Sequence, residues 1–244
     1  MIPRRHTLDD NSLQQALSAL VQSGSRANPA YDTLLGDYTL FHAVLAIEGG
    51  IFALLLGLLC WGCWRRLGQL RRAEAGRAAF EQWVVIGFGL ASAVAALALV
   101  VVVAANLSNV LDPQAGFAQA IPELGTPHAG TRQAAIHREV AAWARSGAAA
   151  MPAALRDALR DRLAWQLPKA IVCSGLLAVA AALTAALWRR LIRRAAQATQ
   201  WGPKAYAGIA AGVLAAPTTL LLMLMAMANT QASFAPITLT LLFG

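Results

Sequence analysis

Four apolar runs dominate this sequence, and each is about as long as a helix that crosses a lipid bilayer. They cover residues of about 41–63, 83–105, 170–187 and 205–228. A helix needs roughly 20 apolar residues to cross the hydrocarbon core, and helical structure satisfies every backbone polar group within the segment itself. The sequence therefore predicts an all-α integral membrane protein with four transmembrane helices.

Composition and charge indicate that the lipid bilayer is a partner. The chain is 58% hydrophobic and 13% charged, whereas soluble domains carry about 25% charged residues. Its net charge is +8, and half of its basic residues fall in the turns after the first and third runs: Arg65, Arg66, Arg71, Arg72 and Arg77, then Arg189, Arg190, Arg193, Arg194 and Lys204. Basic residues at the ends of apolar runs follow the positive-inside rule and attract anionic headgroups. We therefore expect no nucleic-acid partner.

These two turns share one sequence, which indicates an internal repeat. Trp64-Arg65-Arg66-Leu67 and Trp188-Arg189-Arg190-Leu191 are 188 minus 64, or 124, residues apart. Serine, glycine, asparagine and proline residues typical of helix boundaries recur at an offset of 123. These pairs are Ser23/Ser146, Gly24/Gly147, Pro29/Pro152, Asn106/Asn229 and Pro113/Pro236. Chance similarity between Ala- and Leu-rich segments is the alternative. Boundary residues that recur in the same order at a nearly constant offset favour duplication. The predicted repeats are residues 1–122 and 123–244, each with one transmembrane hairpin.

Each hairpin is preceded by a segment with helical periodicity. The apolar stripes are Leu13, Leu17, Leu20 and Val21 in repeat one and Ile136, Val140 and Trp143 in repeat two, and the helix boundaries are Thr7 to Asp10, Asn28-Pro29, Thr131, Ser146-Gly147 and Met151-Pro152. This pattern predicts two short amphipathic helices before each hairpin. The stretch from Asp112 to Pro127 is typical of a linker. The apolar tail from Phe234 to Gly244 is expected to contact another protein or the membrane.

The charge of the loops predicts the orientation. Both short basic turns are expected on the cytoplasmic side, with Trp64, Arg65 and Arg66 in one and Trp188, Arg189 and Arg190 in the other as topology anchors. Both termini and the amphipathic helices then lie on the outer, periplasmic side, and the two repeats are parallel. The Arg- and Ala-rich, Lys-poor composition is typical of a bacterial protein, so we expect the cytoplasmic (inner) membrane.

Glu48 is the acidic residue that lies well inside a predicted span. An intramembrane carboxylate is costly, so it marks either an ion or proton path or a buried partner. Lys169, at the start of the third run, is the predicted partner. A structural ion pair and a transport site both remain open.

Small and polar residues in the spans predict helix packing. Gly208 and Gly212 form a Gly-x-x-x-Gly pair in the fourth run, and Ala91/Ala95 is a looser pair in the second. Such pairs allow close helix contact, within the chain or with a partner. Pro217 is expected to kink the fourth span. Asn106 and Asn229 are expected to be helix C-caps or a symmetric polar pair.

Histidines and cysteines do not form a pattern that indicates a cofactor. His42, His128 and His137 lack ligand spacing and are expected to be interfacial anchors. Cys60-Trp61-Gly62-Cys63 lacks a thioredoxin-like context, and packing or reversible acylation are its alternatives. We expect no metal and no cofactor.

The predicted function is a non-enzymatic structural or accessory subunit of a larger bacterial membrane protein complex, with other membrane subunits or a second copy as partners. The alternative is a small transporter or ion-channel subunit that uses Glu48. A weaker alternative is a membrane redox or enzyme subunit that uses His42 or the cysteines.

Overall fold

The computed structural model describes residues 12–23, 28–72, 79–197 and 202–243. Within these ranges the chain forms eight α-helices, one short 3-10 turn over Ile121–Glu123, and no strand. The helices are α1 (Ser12–Ser23), α2 (Pro29–Arg72), α3 (Ala79–Leu111), α4 (Pro113–Ala120), α5 (Arg132–Ser146), α6 (Ala153–Gln197), α7 (Pro203–Phe234) and α8 (Pro236–Phe243). The all-α prediction is confirmed. The helix start predicted at Thr7 to Asp10 lies outside the described residues.

Four of these helices, α2, α3, α6 and α7, are long and apolar enough to span a membrane. This confirms the prediction of four candidate transmembrane helices. One detail was wrong: the segments that open at Pro29 and Pro152 are not separate short helices. α2 has 44 residues and α6 has 45, so each continues from its amphipathic start into its apolar run. No turn sequence separates Tyr38 from Phe41, and nothing there ends the helix.

The predicted helix boundaries are confirmed where the structure describes them. Asn28 Oδ1 accepts a hydrogen bond from the Tyr31 amide at 3.1 Å, which caps the first turn of α2. Thr131 Oγ1 accepts from the Ala134 amide at 3.2 Å and caps α5. α5 ends at Gly147, whose φ of 64° is the left-handed conformation that glycine adopts without strain.

Two short helices were not predicted. α4 lies in the expected linker; Asp112 caps it by accepting from the Ala115 amide at 3.1 Å, and Pro113 begins it. α8 forms from the apolar tail, whose Ile237 and Leu241 are 6% and 5% exposed. The predicted contact of this tail with another protein or the membrane is wrong for Ile237 and Leu241, which are buried within the chain's own core, and stays a prediction for Phe234, which is 59% exposed.

The chain divides into two compact units. The described residues of unit 1 are 12–23, 28–45, 105–168 and 230–243. Its core includes Leu17, Leu34, Val140 and Leu155, which are at most 2% exposed. The stripes predicted on α1 and α5 both face this core, so the amphipathic helices form a packed domain of their own.

The described residues of unit 2 are 46–72, 79–104, 169–197 and 202–229. At one end Leu67 and Leu70 of α2 are buried with Val85 of α3. Further along the same two helices, a Cβ added at Gly49 would lie 3.0 Å from Val103 Cγ2. Most large side chains of the spans, such as Leu54 and Val101, are exposed, as expected for helices that face lipid.

Candidate functional site

Glu48 lies half-buried on α2 in unit 2. The next residue, Gly49, is buried where α2 approaches α3 and α7, because its Cβ position is 3.0 Å from Val103 Cγ2 and 3.7 Å from Met227 Cε. Lys169 is half-buried on α6, also in unit 2. Both side chains are thus partly withdrawn from the surface of the bundle, and their pairing stays a prediction.

The Gly208 and Gly212 pair is filled by side chains of α6. A Cβ added at Gly208 would lie 3.0 Å from Leu191 Cδ2, and one added at Gly212 would lie 2.9 Å from ring atoms of Trp188. Both distances are shorter than an ordinary carbon–carbon contact of about 3.5–4.0 Å. The glycines therefore allow α6 and α7 to pack closely within the chain, and this face is occupied.

The two tryptophans of the basic turns have different surroundings. Trp64 is 45% exposed, whereas Trp188 is half-buried and packs edge to face on Phe88 with ring centroids 5.3 Å apart. Their arginines are accessible. Arg65, Arg66, Arg189 and Arg190 are all exposed. Arg66 Nε donates to Glu81 Oε1 at 2.8 Å, which links the end of α2 to the start of α3.

An apolar groove of about 330 Å³ opens in unit 2 beside Trp188. Its α3 side carries Phe80, Trp83, Gly87 and Ala91. Gly87 and Ala91 are exposed and four residues apart, and a Cβ added at Gly87 would meet nothing within 4 Å. This small-x-x-x-small pair is therefore open, unlike the Gly208 and Gly212 pair. Gly87 thus extends the Ala91/Ala95 pair predicted from the sequence by one further small residue at spacing four.

Asn106 and Asn229 are not helix caps. α3 continues to Leu111 and α7 to Phe234, so both asparagines lie inside helices and the cap prediction was wrong. Asn106 Oδ1 lies 2.7 Å from His42 Nδ1, and Asn229 Nδ2 donates to the Met225 carbonyl at 2.7 Å. Each side chain hydrogen-bonds within the chain, and Asn106, which is buried, needs such a partner in an apolar setting.

His137 is part of the core of unit 1, so its prediction as an interfacial anchor was wrong. It is 7% exposed, and its Nε2 lies 3.3 Å from the Leu241 carbonyl oxygen. Gln133 Nε2 donates to the Thr240 carbonyl at 2.7 Å. The last carbonyls of α8 have no partner within that helix, and α5 supplies donors for them. Burial lowers the pKa of His137, with the Leu241 hydrogen bond opposing the shift.

The first turn of α8 is held by Asp37 of α2. Its carboxylate accepts from the Ile237 amide at 3.3 Å, the Thr238 amide at 2.6 Å and Thr238 Oγ1 at 2.7 Å. α8 has only eight residues, too few for a stable isolated helix. Side chains from α2 and α5 therefore fix the helix at both ends.

A cleft of about 540 Å³ lies between α5, α6 and α8 in unit 1. Seven of its lining residues carry polar or aromatic groups: Arg132, Gln133, Asp161, Arg162, Trp165, Gln166 and Thr240. Arg132 and Asp161 form an exposed ion pair at 2.7 Å. The volume is within the range of about 300–1,000 Å³ that is common for small-molecule sites.

Sequence reasoning missed this cleft, although a signal was present. At the predicted repeat offsets, Ala158 corresponds to Leu34, Arg162 to Tyr38 and Thr240 to Phe117. In each of these pairs the residue of repeat two is smaller or more polar.

The cysteines and histidines do not assemble a metal centre in the part of the chain that the structure describes. No group of three His, Cys, Asp or Glu side chains lies close enough there to hold an ion. Cys63 packs against the buried Leu67, Leu70 and Val85, and its Cβ is 3.4 Å from the Cβ position of Gly89. Packing accounts for Cys63 in this setting.

Comparison with protein-family models, with curated proteins and with solved structures gives no match, so the function has to be inferred from the geometry of these sites.

Proposed function

We propose that this chain is a non-enzymatic structural or accessory subunit of a larger membrane protein complex, and that a transmembrane helix of another subunit binds in the groove of unit 2. The observation that carries the proposal is the open Gly87/Ala91 pair between aromatic side chains. Within a bilayer, small residues four apart allow a second helix backbone to approach closely.

The groove suits a partner helix for two further reasons. The other small-residue pair, Gly208 and Gly212, is already filled by α6, so a partner helix has to use a different face. The edge-to-face contact of Phe88 with Trp188 lies in one wall of the groove, and aromatic side chains are common anchors at interfaces. A partner side chain that enters this groove meets a preformed apolar surface.

We further propose that the membrane bundle consists of two tandem parallel hairpins, α2–α3 and α6–α7. Repeated contacts support this. Trp64 lies 3.8 Å from the Cβ position of Gly89, and its counterpart Trp188 lies 2.9 Å from that of Gly212. In unit 1, Gln14 Nε2 donates to the Leu124 carbonyl, and its counterpart His137 contacts the Leu241 carbonyl. The Trp pair recurs at an offset of 124 and the Gly89/Gly212 and Gln14/His137 pairs at 123, whereas the two contacted carbonyls are 117 residues apart.

The proposed location is the bacterial cytoplasmic membrane, with both termini on the periplasmic side. The exposed arginines of the two Trp-Arg-Arg-Leu turns support the cytoplasmic placement of those turns. Labelling of an introduced cysteine with a membrane-impermeant reagent tests it. Position 71, in the first turn, is expected to react only after the membrane is opened, and reaction in intact cells would reverse the proposed orientation.

The test of the subunit proposal compares two glycine substitutions in the full chain. Gly87→Leu fills the groove, whereas Gly175→Leu adds the same side chain at an exposed glycine of α6 that has no neighbour within 4 Å. We expect the wild-type chain, purified from its native membrane in mild detergent, to carry a partner at fixed stoichiometry. Gly87→Leu is expected to lose that partner at least tenfold, and Gly175→Leu to keep it.

Native mass spectrometry and sedimentation give the stoichiometry. A wild-type chain that is a lone monomer contradicts the proposal, as does a Gly87→Leu chain that retains its partner as well as Gly175→Leu does. If the partner is a second copy of this chain, the purified protein alone dimerises with the same dependence on residue 87.

A transporter or ion-channel subunit is the second candidate, and Glu48 favours it. This carboxylate is half-buried in a span, and ionisable groups at such positions often mark ion or proton paths. Flux into liposomes that contain the purified chain tests this candidate. Flux that falls in Glu48→Gln supports it, and flux that is absent or unchanged removes it.

A further inference from the structure

We propose that the cleft between α5, α6 and α8 is a binding site for a phosphate-bearing ligand that also carries a hydrogen-bond donor next to its phosphate. The α5 side of the cleft carries Arg132 and Ile136, the α6 side Arg162 and Trp165, and the α8 side Thr240. All of these residues belong to unit 1. The site does not depend on the groove proposed above for a partner helix.

The charges in the cleft favour an anion. Arg132 and Asp161 neutralise each other through their ion pair at 2.7 Å. Arg162 is half-buried, and no carboxylate of the described residues forms an ion pair with it within 4.0 Å. The cleft therefore has a net positive charge at Arg162. A guanidinium matches the oxygen atoms of a phosphate with two parallel hydrogen bonds.

Two buried polar atoms in the wall define the rest of the ligand. Thr240 is 3% exposed, and neither its Oγ1 nor Gln166 Oε1 has a hydrogen-bond partner among the described residues. Leaving a buried polar group without a hydrogen bond is costly, so such atoms need a partner. Thr240 donates to an anionic oxygen, whereas the Gln166 carbonyl oxygen accepts only from an N–H or O–H group. A phosphate with a neighbouring amine or hydroxyl meets both requirements.

The corresponding place in repeat one is closed. The cleft therefore arises from side chains that are specific to repeat two. There Phe117 packs edge to face on Tyr38 with centroids 5.5 Å apart. The space that Leu34, Tyr38 and Phe117 help to line is only about 20 Å³, which is room for about one water. Their counterparts Ala158, Arg162 and Thr240 leave about 540 Å³. Replacement of an aromatic pair by arginine and threonine both opens the site and gives it charge.

The position of the site along the sequence favours a lipid headgroup as the source of the phosphate. The third apolar run begins at about Ala170, four residues after Gln166. Trp165 is 67% exposed, and tryptophan and arginine next to a span are typical of the headgroup region. A soluble phosphate monoester has the same chemistry, and the experiment separates these two sources.

The test measures binding to the full chain in detergent micelles. Native mass spectrometry detects bound dihexanoyl phosphatidylethanolamine, with dihexanoylglycerol as the lipid without phosphate, and calorimetry measures soluble phosphoethanolamine. The variant is Arg162→Gln. The matched control is Arg160→Gln, because Arg160 lies on the same helix, is exposed and does not line this cleft.

We expect the wild-type chain to bind the phospholipid and not dihexanoylglycerol. Arg162→Gln is expected to weaken that binding at least tenfold, and Arg160→Gln to leave it within twofold. Equal binding of phosphoethanolamine identifies a soluble ligand with the same chemistry, whereas weaker binding identifies the lipid. Equal binding by the Arg162→Gln and Arg160→Gln variants, or no phosphate-dependent binding to the wild-type chain, overturns the proposal. Thr240→Phe, which places the residue of repeat one in the cleft, serves as the second variant and is expected to abolish binding.

Discussion

The two proposed repeats place the same helices in the same order, yet one half of unit 1 is closed and the other is open. Tyr38 and Phe117 fill repeat one with aromatic rings. Arg162 and Thr240, at the corresponding positions, line a cleft of about 540 Å³. The same helix arrangement therefore gives a packed core in one repeat and a cleft in the other, and the volumes of a few side chains make the difference. Protein interiors contain few voids, and those that hold water are lined by polar groups.

Both repeats have a side chain of the first helix, α1 or α5, that contacts a carbonyl group at the end of a short helical segment. Gln14 and His137, related by the offset of 123, each contact carbonyl groups at the end of a short helical segment, at Leu124 and Leu241. The contacts that hold α8 are therefore present although repeat two lacks the aromatic filling of repeat one. The difference between the halves lies in the lining of the cleft and not in the helix framework.

The largest expected effect comes from opening the closed half. Phe117→Ala removes a ring that is 8% exposed, and replacement of a buried Phe by Ala costs about 3–5 kcal/mol of unfolding free energy. Thr240→Ala, at the corresponding position, removes a hydroxyl without a hydrogen bond among the described residues and is expected to cost less than about 1 kcal/mol. Thermal unfolding of both full-length variants in detergent measures the difference. Equal losses would show that the two halves are filled alike.

Much of the fold could be predicted because its signals are local. Asn28, Thr131 and Gly147 mark helix ends through cap geometry. The four apolar runs are long enough to be predicted as transmembrane helices from the sequence. α8 could not be predicted because its stability depends on Asp37, two hundred residues away along the chain. The cleft depends on tertiary packing in the same way, and only the comparison of Leu34 with Ala158 and of Phe117 with Thr240 offered a signal.

A smaller effect is expected from two corresponding aspartates. Asp37 accepts three hydrogen bonds from Ile237 and Thr238, so Asp37→Ala is expected to lower the unfolding free energy by about 1–2 kcal/mol. Asp161 forms an ion pair whose side chains are 66% and 64% exposed, and such pairs contribute about 0–1 kcal/mol. Hydrogen exchange at the α8 amides gives a local measurement. Faster exchange in Asp161→Ala than in Asp37→Ala would contradict these roles.

The smallest effect is the dependence of stability on pH that His137 contributes in repeat two. Burial lowers the pKa of His137 in the folded chain, so the unfolded chain binds the proton more readily. Stability from this group is therefore complete above the unfolded pKa of about 6.5 and is lost as the pH falls through that value toward the folded pKa. His137→Gln, which introduces the residue that repeat one has as Gln14, is expected to flatten the acid limb of the stability profile. If the unfolding free energy of His137→Gln falls at acid pH as steeply as that of the wild-type chain, other titratable groups cause the fall.

Thiol labelling at corresponding positions tests the difference between the closed and open halves most directly. Arg162→Cys and Tyr38→Cys are compared in full-length chains whose native Cys60, Cys63 and Cys173 are replaced by serine or alanine. Arg162 is half-buried at the cleft, and Tyr38 is 5% exposed in the closed core. The account predicts that a water-soluble maleimide modifies position 162 in the folded protein and position 38 only after unfolding. Equal protection of the two positions in folded protein would contradict it.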